Sequence, residues 1–258
     1  MISSSSNPGL RTLAALITLD FQDLYLKYGA SQAPRTGLHA SSLLVSESEW
    51  CTRRYVLADL FPGEAVTPEL ARWQWKQQAV FENGWNLHER WQKLFEKYGN
   101  VVKYNGMYNE LDLTHYDPER QVYFSPDAIL NINDEHMVVE IKGINHDAFL
   151  SLTDNLDQAR KACETVDKAV SKANLYMHLL ELNHGIILVE DKSSQDFKVW
   201  VTEYNRSMAL PPVGRAYKVK GALLRAHKGD IAPRVCESPD SPLARKCPLA
   251  RACFRQEG

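Results

Sequence analysis

The segment that most constrains this chain is Ser125-Pro126-Asp127, separated by twelve residues from Glu140-Ile141-Lys142. Asp127 opens a strand-like run, Ala128-Ile129-Leu130-Asn131-Ile132, and Asn133-Asp134-Glu135 supplies turn residues before a second run that reaches Lys142. Side chains alternate along a strand, so Glu140 and Lys142 share one face while Met137, Val139 and Ile141 take the other. The first face reads as a site and the second as core. Folding this hairpin brings Asp127 beside Glu140, and two carboxylates held together need a cation to neutralise them. Hard oxygen ligands of this kind suit Mg2+ or Mn2+. A lysine two residues away can then orient or help deprotonate an attacking water, which points to metal-assisted phosphodiester hydrolysis. By itself Glu-x-Lys is a common pattern on charged, half-exposed strands; the Pro-Asp at this distance is what gives it weight.

Upstream, Thr67-Pro68-Glu69 has the residues of a helix start, and an apolar pattern runs on toward Tyr98 before Gly99-Asn100 stops it. Phe81, Trp85, His88, Trp91 and Phe95 recur at spacings of three and four, which predicts that His88 lies on the buried stripe of that helix. Taken in isolation, a histidine on an apolar face is more often a satisfied core residue than a ligand.

Gly84-Trp85-Asn86-Leu87-His88-Glu89, together with the Pro-Asp and Glu-x-Lys runs, resembles the RecB-like branch of the PD-(D/E)XK nucleases, and specifically its iron-sulfur members. These include the CRISPR-associated adaptation nucleases, their phage relatives and the nuclease domain of AddB. The resemblance implies that His88, Asp127, Glu140 and the backbone carbonyl of Ile141 hold a divalent metal, with Lys142 orienting the nucleophilic water. It also implies a second helix bearing a Gln-x-x-x-Tyr motif. This chain has Lys172-Ala173-Asn174-Leu175-Tyr176 in a stretch, Asp154 to Leu182, that reads as one helix. Tyr176 matches the motif and would support lysine or substrate, whereas lysine replaces the glutamine at position 172. Without the resemblance, Tyr176 reads equally as a core aromatic.

The cysteines bear on the same family. Cys236 is followed after ten residues by Cys247 and after five more by Cys253, while Cys51 lies far upstream. One early cysteine and three late ones is the order in which the resembled family holds a [4Fe-4S] cluster, a group ligated by cysteine sulfurs. Its usual spacing brings the first two of the late three closer together, which makes Cys236 the weakest member of the set. Four thiolates could equally hold zinc, and spacing does not separate the two; the resemblance implies iron-sulfur. Either group would act as a clip between the chain's early and late segments, turning ligand bonds into folding energy. Ser46-Glu47-Ser48-Glu49 has capping-box spacing, which places Cys51 in the first turns of a helix. Cys163 reads as a packing residue.

At 258 residues and 44% hydrophobic composition, the chain can bury one substantial core. No apolar run is long enough to span a membrane, and the Ser-rich start lacks the basic region of a signal peptide, so a cytoplasmic enzyme with reduced thiols is expected. Net charge is only -2, but residues 206–258 carry eleven Lys or Arg against four Asp or Glu. A basic C-terminal lobe can track phosphates while an acidic remainder holds metal.

Short strands are predicted across Val101 to Lys142, including Leu111 to Thr114 and Gln121 to Phe124 around an Asp117-Pro118-Glu119 turn. A strand pair follows at Gly185 to Val189 and Phe197 to Val201, and a last helix from Pro211-Pro212 toward His227. An N-terminal helix is expected from Leu10 to Tyr28. The expected organisation is a helical region, 1–66, contributing Cys51; a nuclease core, 67–204; and a basic, cysteine-rich segment, 205–258. The fold class is α/β, a restriction-endonuclease-like mixed central sheet flanked by helices, with the C-terminal segment carrying the cluster. The expected function is a metal-dependent DNA exonuclease acting on single strands or frayed ends, its 5' to 3' polarity implied by resemblance alone. A non-catalytic DNA-binding subunit of a recombination or adaptation complex is the alternative.

Overall fold

The structure is a computed structural model, and it describes residues 16–21, 23–24, 37–62, 83–97, 99, 101–102 and 115–255. The central sheet has four strands: β4 (Ala128–Ile132), β5 (Glu135–Ile144), β6 (His184–Asp191) and β7 (Phe197–Glu203), in that spatial order. β4 and β5 form an antiparallel hairpin, β5 and β6 run parallel, and β6 and β7 are antiparallel, so the sheet is mixed. A smaller sheet joins β1 (Leu38–His39) and β2 (His115–Asp117) to either side of β3 (Val122–Phe124).

A parallel pair cannot be closed by a tight turn and needs a long crossover. Here the chain leaves β5 and passes through α3 (His146–Leu150), α4 (Leu156–Ala162) and α5 (Glu164–Leu180) before returning as β6. Asn145 and Asn155 start the first two of these helices, accepting from the amides of Ala148 at 2.8 Å and Gln158 at 3.0 Å. Each such cap is worth about 1 kcal/mol.

α5 and α6 (Arg206–Ala226) cover one face of the sheet, where Val138, Ile187 and Val189 meet Val166, Ala169, Val170, Ala173, Val213, Ala216 and Val219. On the other face Val139, Ile141, Ile186 and Leu188 pack with Leu87, Trp91 and Phe95 of the helix at 83–97, labelled α2. β5 is therefore covered on both sides, as strands with a parallel neighbour commonly are. The face of β5 read as a site is thus covered too: Glu140 is as fully buried as Ile141.

Several other boundaries differ from the sequence reading. The stretch Asp154 to Leu182 is two helices, broken at Cys163, whose extended backbone ends α4 and begins α5. α6 starts five residues before Pro211, because the side chain of Asn205 accepts from the Ser207 amide at 3.0 Å; both prolines lie inside the helix. The turn after Ser46 is a short 3-10 segment, Glu47–Glu49, and the helix proper, α1 (Thr52–Leu60), begins after Cys51, which is its N-cap rather than a first-turn residue. The Asp117-Pro118-Glu119 turn forms, with β2 rather than Leu111 to Thr114 before it; residues 111–114 lie outside the described residues, as do 67–82. Of the expected N-terminal helix, 16–21 and 23–24 are described, and they are helical.

Two arginines fasten residues 37–62 to the far end of the chain. Arg215 of α6 donates to the carbonyls of Leu43 at 2.8 Å and Val45 at 2.5 Å, pairs with Glu47, and lies over the Trp50 ring. Arg53 of α1, buried, donates to the carbonyls of Ala232 at 2.9 Å and Cys253 at 3.4 Å. The last segment contains two short helices, α7 (Pro242–Arg245) and α8 (Ala250–Arg255). No described helix is long and apolar enough to cross a membrane.

Candidate active site

The β4–β5 turn fixes the site's register. Asn133 and Asp134 both take left-handed backbone conformations, with φ of 53° and 64°, the arrangement a two-residue hairpin loop requires and these residue types tolerate best. Counting back from this turn pairs Ala128 with Val139, which sets Asp127 opposite Glu140. The Asp127 amide donates to the Val139 carbonyl at 3.1 Å, and its Oδ2 accepts from the Ile141 amide at 2.6 Å.

α2 delivers His88 across the end of this hairpin. Its Nδ1 is 3.3 Å from Asp127 Oδ1 and its Nε2 is 3.1 Å from the Ile141 carbonyl oxygen. His88 is not on the buried stripe: Leu87, Trp91 and Phe95 form that stripe at i, i+4 spacing, Trp85 is exposed, and His88 flanks it at 27% exposure. This offset lets the imidazole reach the strand ends instead of filling the core. Gln92, one turn further on, donates to the Asp127 carbonyl at 2.8 Å. Its i+4 relation to His88 places both side chains on one helix face, a signal present in the sequence.

Glu140 is the unusual member. Its Oε1 accepts from Lys172 Nζ at 2.8 Å and from Lys142 Nζ, whereas its Oε2 is buried with no partner among the described residues. Leaving a buried carboxylate oxygen without a partner is costly, and a water or an ion commonly answers such a group. Burial, then the neighbouring Glu140, pushes the Asp127 carboxyl above its ordinary range. Burial would do the same to Glu140, but Lys142 and Lys172 together outweigh it and hold that carboxyl below its usual value. Burial opposes the charge on Lys172, yet Glu140 foremost keeps the ammonium above the ordinary lysine range. One acid thus resists ionisation while its neighbour is held ionised, a division typical of functional carboxylate pairs.

Tyr176 is buried against Phe124, ring centroids 5.8 Å apart, and its ring lies 5.3 Å from Lys172 Nζ. Burial raises its phenol above the ordinary value, so it stays neutral. The lysine it accompanies is Lys172, the residue of the departing motif. Gly143 was also missed. A Cβ there would stand 2.8 Å from Leu87 Cδ2 and 2.9 Å from Lys192 Cε, so the bare backbone makes room for both side chains next to His88.

The donor set fits a hard divalent cation in kind: two carboxylates, one with an unpartnered buried oxygen, a main-chain carbonyl and an imidazole. Among the described residues, no three His, Cys, Asp or Glu side chains are already gathered as a metal-holding group.

The second candidate centre lies between α1 and the C-terminal segment. Cys51, Cys236, Cys247 and Cys253 all line one cleft, together with Arg54, Leu57 and Phe254. All four are free thiols, and burial raises those of Cys247 and Cys253 above their ordinary values. Four soft donors around one cleft fit a thiolate-bound group in number and type. Cys163 lies in the main core, away from this set.

No family model matches the chain, and no curated protein matches it by sequence. By fold it is similar to SSO0001, at 14% identity over 94% of this chain and 98% of that one, with a TM-score of 0.46. It is also similar to LHK-Exo in complex with dAMP, at 11% identity over 75% and 90% of the two chains and a TM-score of 0.46. A phage related exonuclease from Haemophilus somnus 129PT shares 12% identity over 76% and 97%, with a TM-score of 0.45.

Proposed function

We propose that this protein is a divalent-metal-dependent deoxyribonuclease that removes nucleotides from DNA ends, acting on single or frayed strands in the 5' to 3' direction. One observation carries the hydrolytic reading: the open, buried Oε2 of Glu140 on a carboxylate that two lysines keep charged, beside Asp127, His88 and the Ile141 carbonyl. These four residues would hold Mg2+ or Mn2+, which supplies charge neutralisation at the phosphate and a water more easily deprotonated than bulk water. Asp127 is held by the Ile141 amide, which fixes its free oxygen toward His88. Lys142, 26% exposed, can leave Glu140 to orient the water or meet a phosphate oxygen. The Tyr176 ring, 5.3 Å from the Lys172 ammonium, would support that lysine.

The four cysteines around one cleft support a [4Fe-4S] clip between residues 37–62 and the C-terminal segment, with zinc as the competing occupant. The excess of Lys and Arg over residues 206–258 supports a path for the DNA backbone.

The deciding assay uses purified protein with Mg2+ or Mn2+ on single- and double-stranded DNA labelled at either end. Metal-dependent, stepwise release of short products from the 5' end is expected. Absence of cleavage with intact DNA binding would favour the non-catalytic subunit, and release from the 3' label would reverse the polarity.

A further inference from the structure

Lys172 stands four residues before Tyr176, where the resembled motif has a neutral amide, and the fold gives this ammonium a definite partner. Its Nζ lies 2.8 Å from Glu140 Oε1, the same oxygen that Lys142 engages. The two lysines arrive from different elements, Lys142 from β5 itself and Lys172 from α5, thirty-two residues along the chain from Glu140. Glu140 therefore has one oxygen doubly occupied and the other open and buried. A half-turn of its carboxylate would exchange the two oxygens. Lys142 cannot prevent this alone if it swings away to water or phosphate. Lys172 can, because it projects from a helix packed into the main core and is flanked by the buried Tyr176 ring.

The charges lead to the same residue. Glu140 already faces two ammonium groups before any divalent ion arrives. An ion approaching Oε2 meets a resident cation across a single carboxylate, in a setting shielded from water, where like charges repel strongly.

We propose that Lys172 is the resident counter-ion of the metal position. As a positioning residue it keeps Glu140 Oε2 presented while Lys142 is released toward substrate, and its charge weakens divalent-ion binding until a DNA phosphate joins the site. This rests on the metal-site reading above and adds to it a cause for low metal affinity in the free protein.

Calorimetric titration of Mn2+ into the full-length wild type, Lys172→Gln and Lys172→Met proteins tests it without reference to cleavage. Lys172→Gln keeps a donor for Oε1 but removes the charge, and should bind Mn2+ about tenfold more tightly than wild type. Lys172→Met loses donor and charge together and should bind less tightly than Lys172→Gln. Equal or weaker Mn2+ binding by Lys172→Gln, the result of a mere packing role, would overturn the proposal. Thermal unfolding in chelator provides a metal-free comparison: Lys172→Met should lower Tm in the wild-type background but not when Glu140→Gln is also present. Equal losses in both backgrounds would refute the pairing. A wild type that binds no Mn2+ would instead remove the metal-site reading and the affinity half of the proposal, and the unfolding comparison would still decide whether Lys172 serves Glu140.

Discussion

At the scale of single residues, the site sets function against stability. Asp127 is buried beside another acid, so its charged form is disfavoured in the fold, and a carboxylate raised in this way subtracts stability as pH rises through its unfolded and then its folded titration range. Asp127→Asn removes the charge and keeps an acceptor for the Ile141 amide. In chelator this variant should melt no lower than wild type, while cleavage falls by about a hundredfold or more. The same shift predicts competition between protons and metal: at limiting Mn2+, cleavage should fall as pH drops through the raised Asp127 range and return when Mn2+ is added. An acid limb insensitive to Mn2+ concentration would count against Asp127 as a ligand. His88 offers a complementary check, since it touches Asp127 and Ile141 but lies beside the apolar stripe. His88→Gln should cost about tenfold or more in cleavage and shift Tm little; a large loss of stability with normal specific activity would return it to the core.

At the scale of elements, the hairpin was legible and the crossover was not. Period-two alternation and the Asn133-Asp134 pair determine the β4–β5 register, and register alone puts Asp127 opposite Glu140. The break at Cys163 has no glycine or proline to announce it. The start of α6 was obscured by two prolines that resemble a first turn, although Asn205 does the capping. Lys172 and Glu140 meet only because a parallel pair forces α5 back over β5, a tertiary outcome that no local pattern encodes. Between α2 and β5, Gly143 leaves no room for a Cβ. Gly143→Val should drive Leu87 and Lys192 aside, shift His88, and reduce cleavage more than Tm; unchanged cleavage in a folded protein would show that the helix can yield without moving the imidazole.

At the scale of the whole molecule, the four cysteines line a cleft between α1 and the C-terminal segment, which Arg53 also joins. Anaerobically purified protein should be brown, contain iron and sulfide, and lose colour when Cys51, Cys236, Cys247 or Cys253 is changed to Ser, whereas Cys163→Ser should keep it. Zinc without sulfide would replace the cluster but keep the clip, and a protein binding neither would end both readings. The order of the cysteines was legible in the sequence; their shared cleft lies where residues 37–62 meet α6 and the C-terminal segment, a junction that Arg53 and Arg215 bridge. The contact between Arg53 and the Cys253 carbonyl spans 200 residues, and those of Arg215 with Leu43 and Glu47 span 172 and 168. On a ribosome, the first partner in each pair therefore waits for at least 168 further residues to be synthesised. Loops of this length are slow to close, so the early segment spends the longest time unpaired and the late segment completes it.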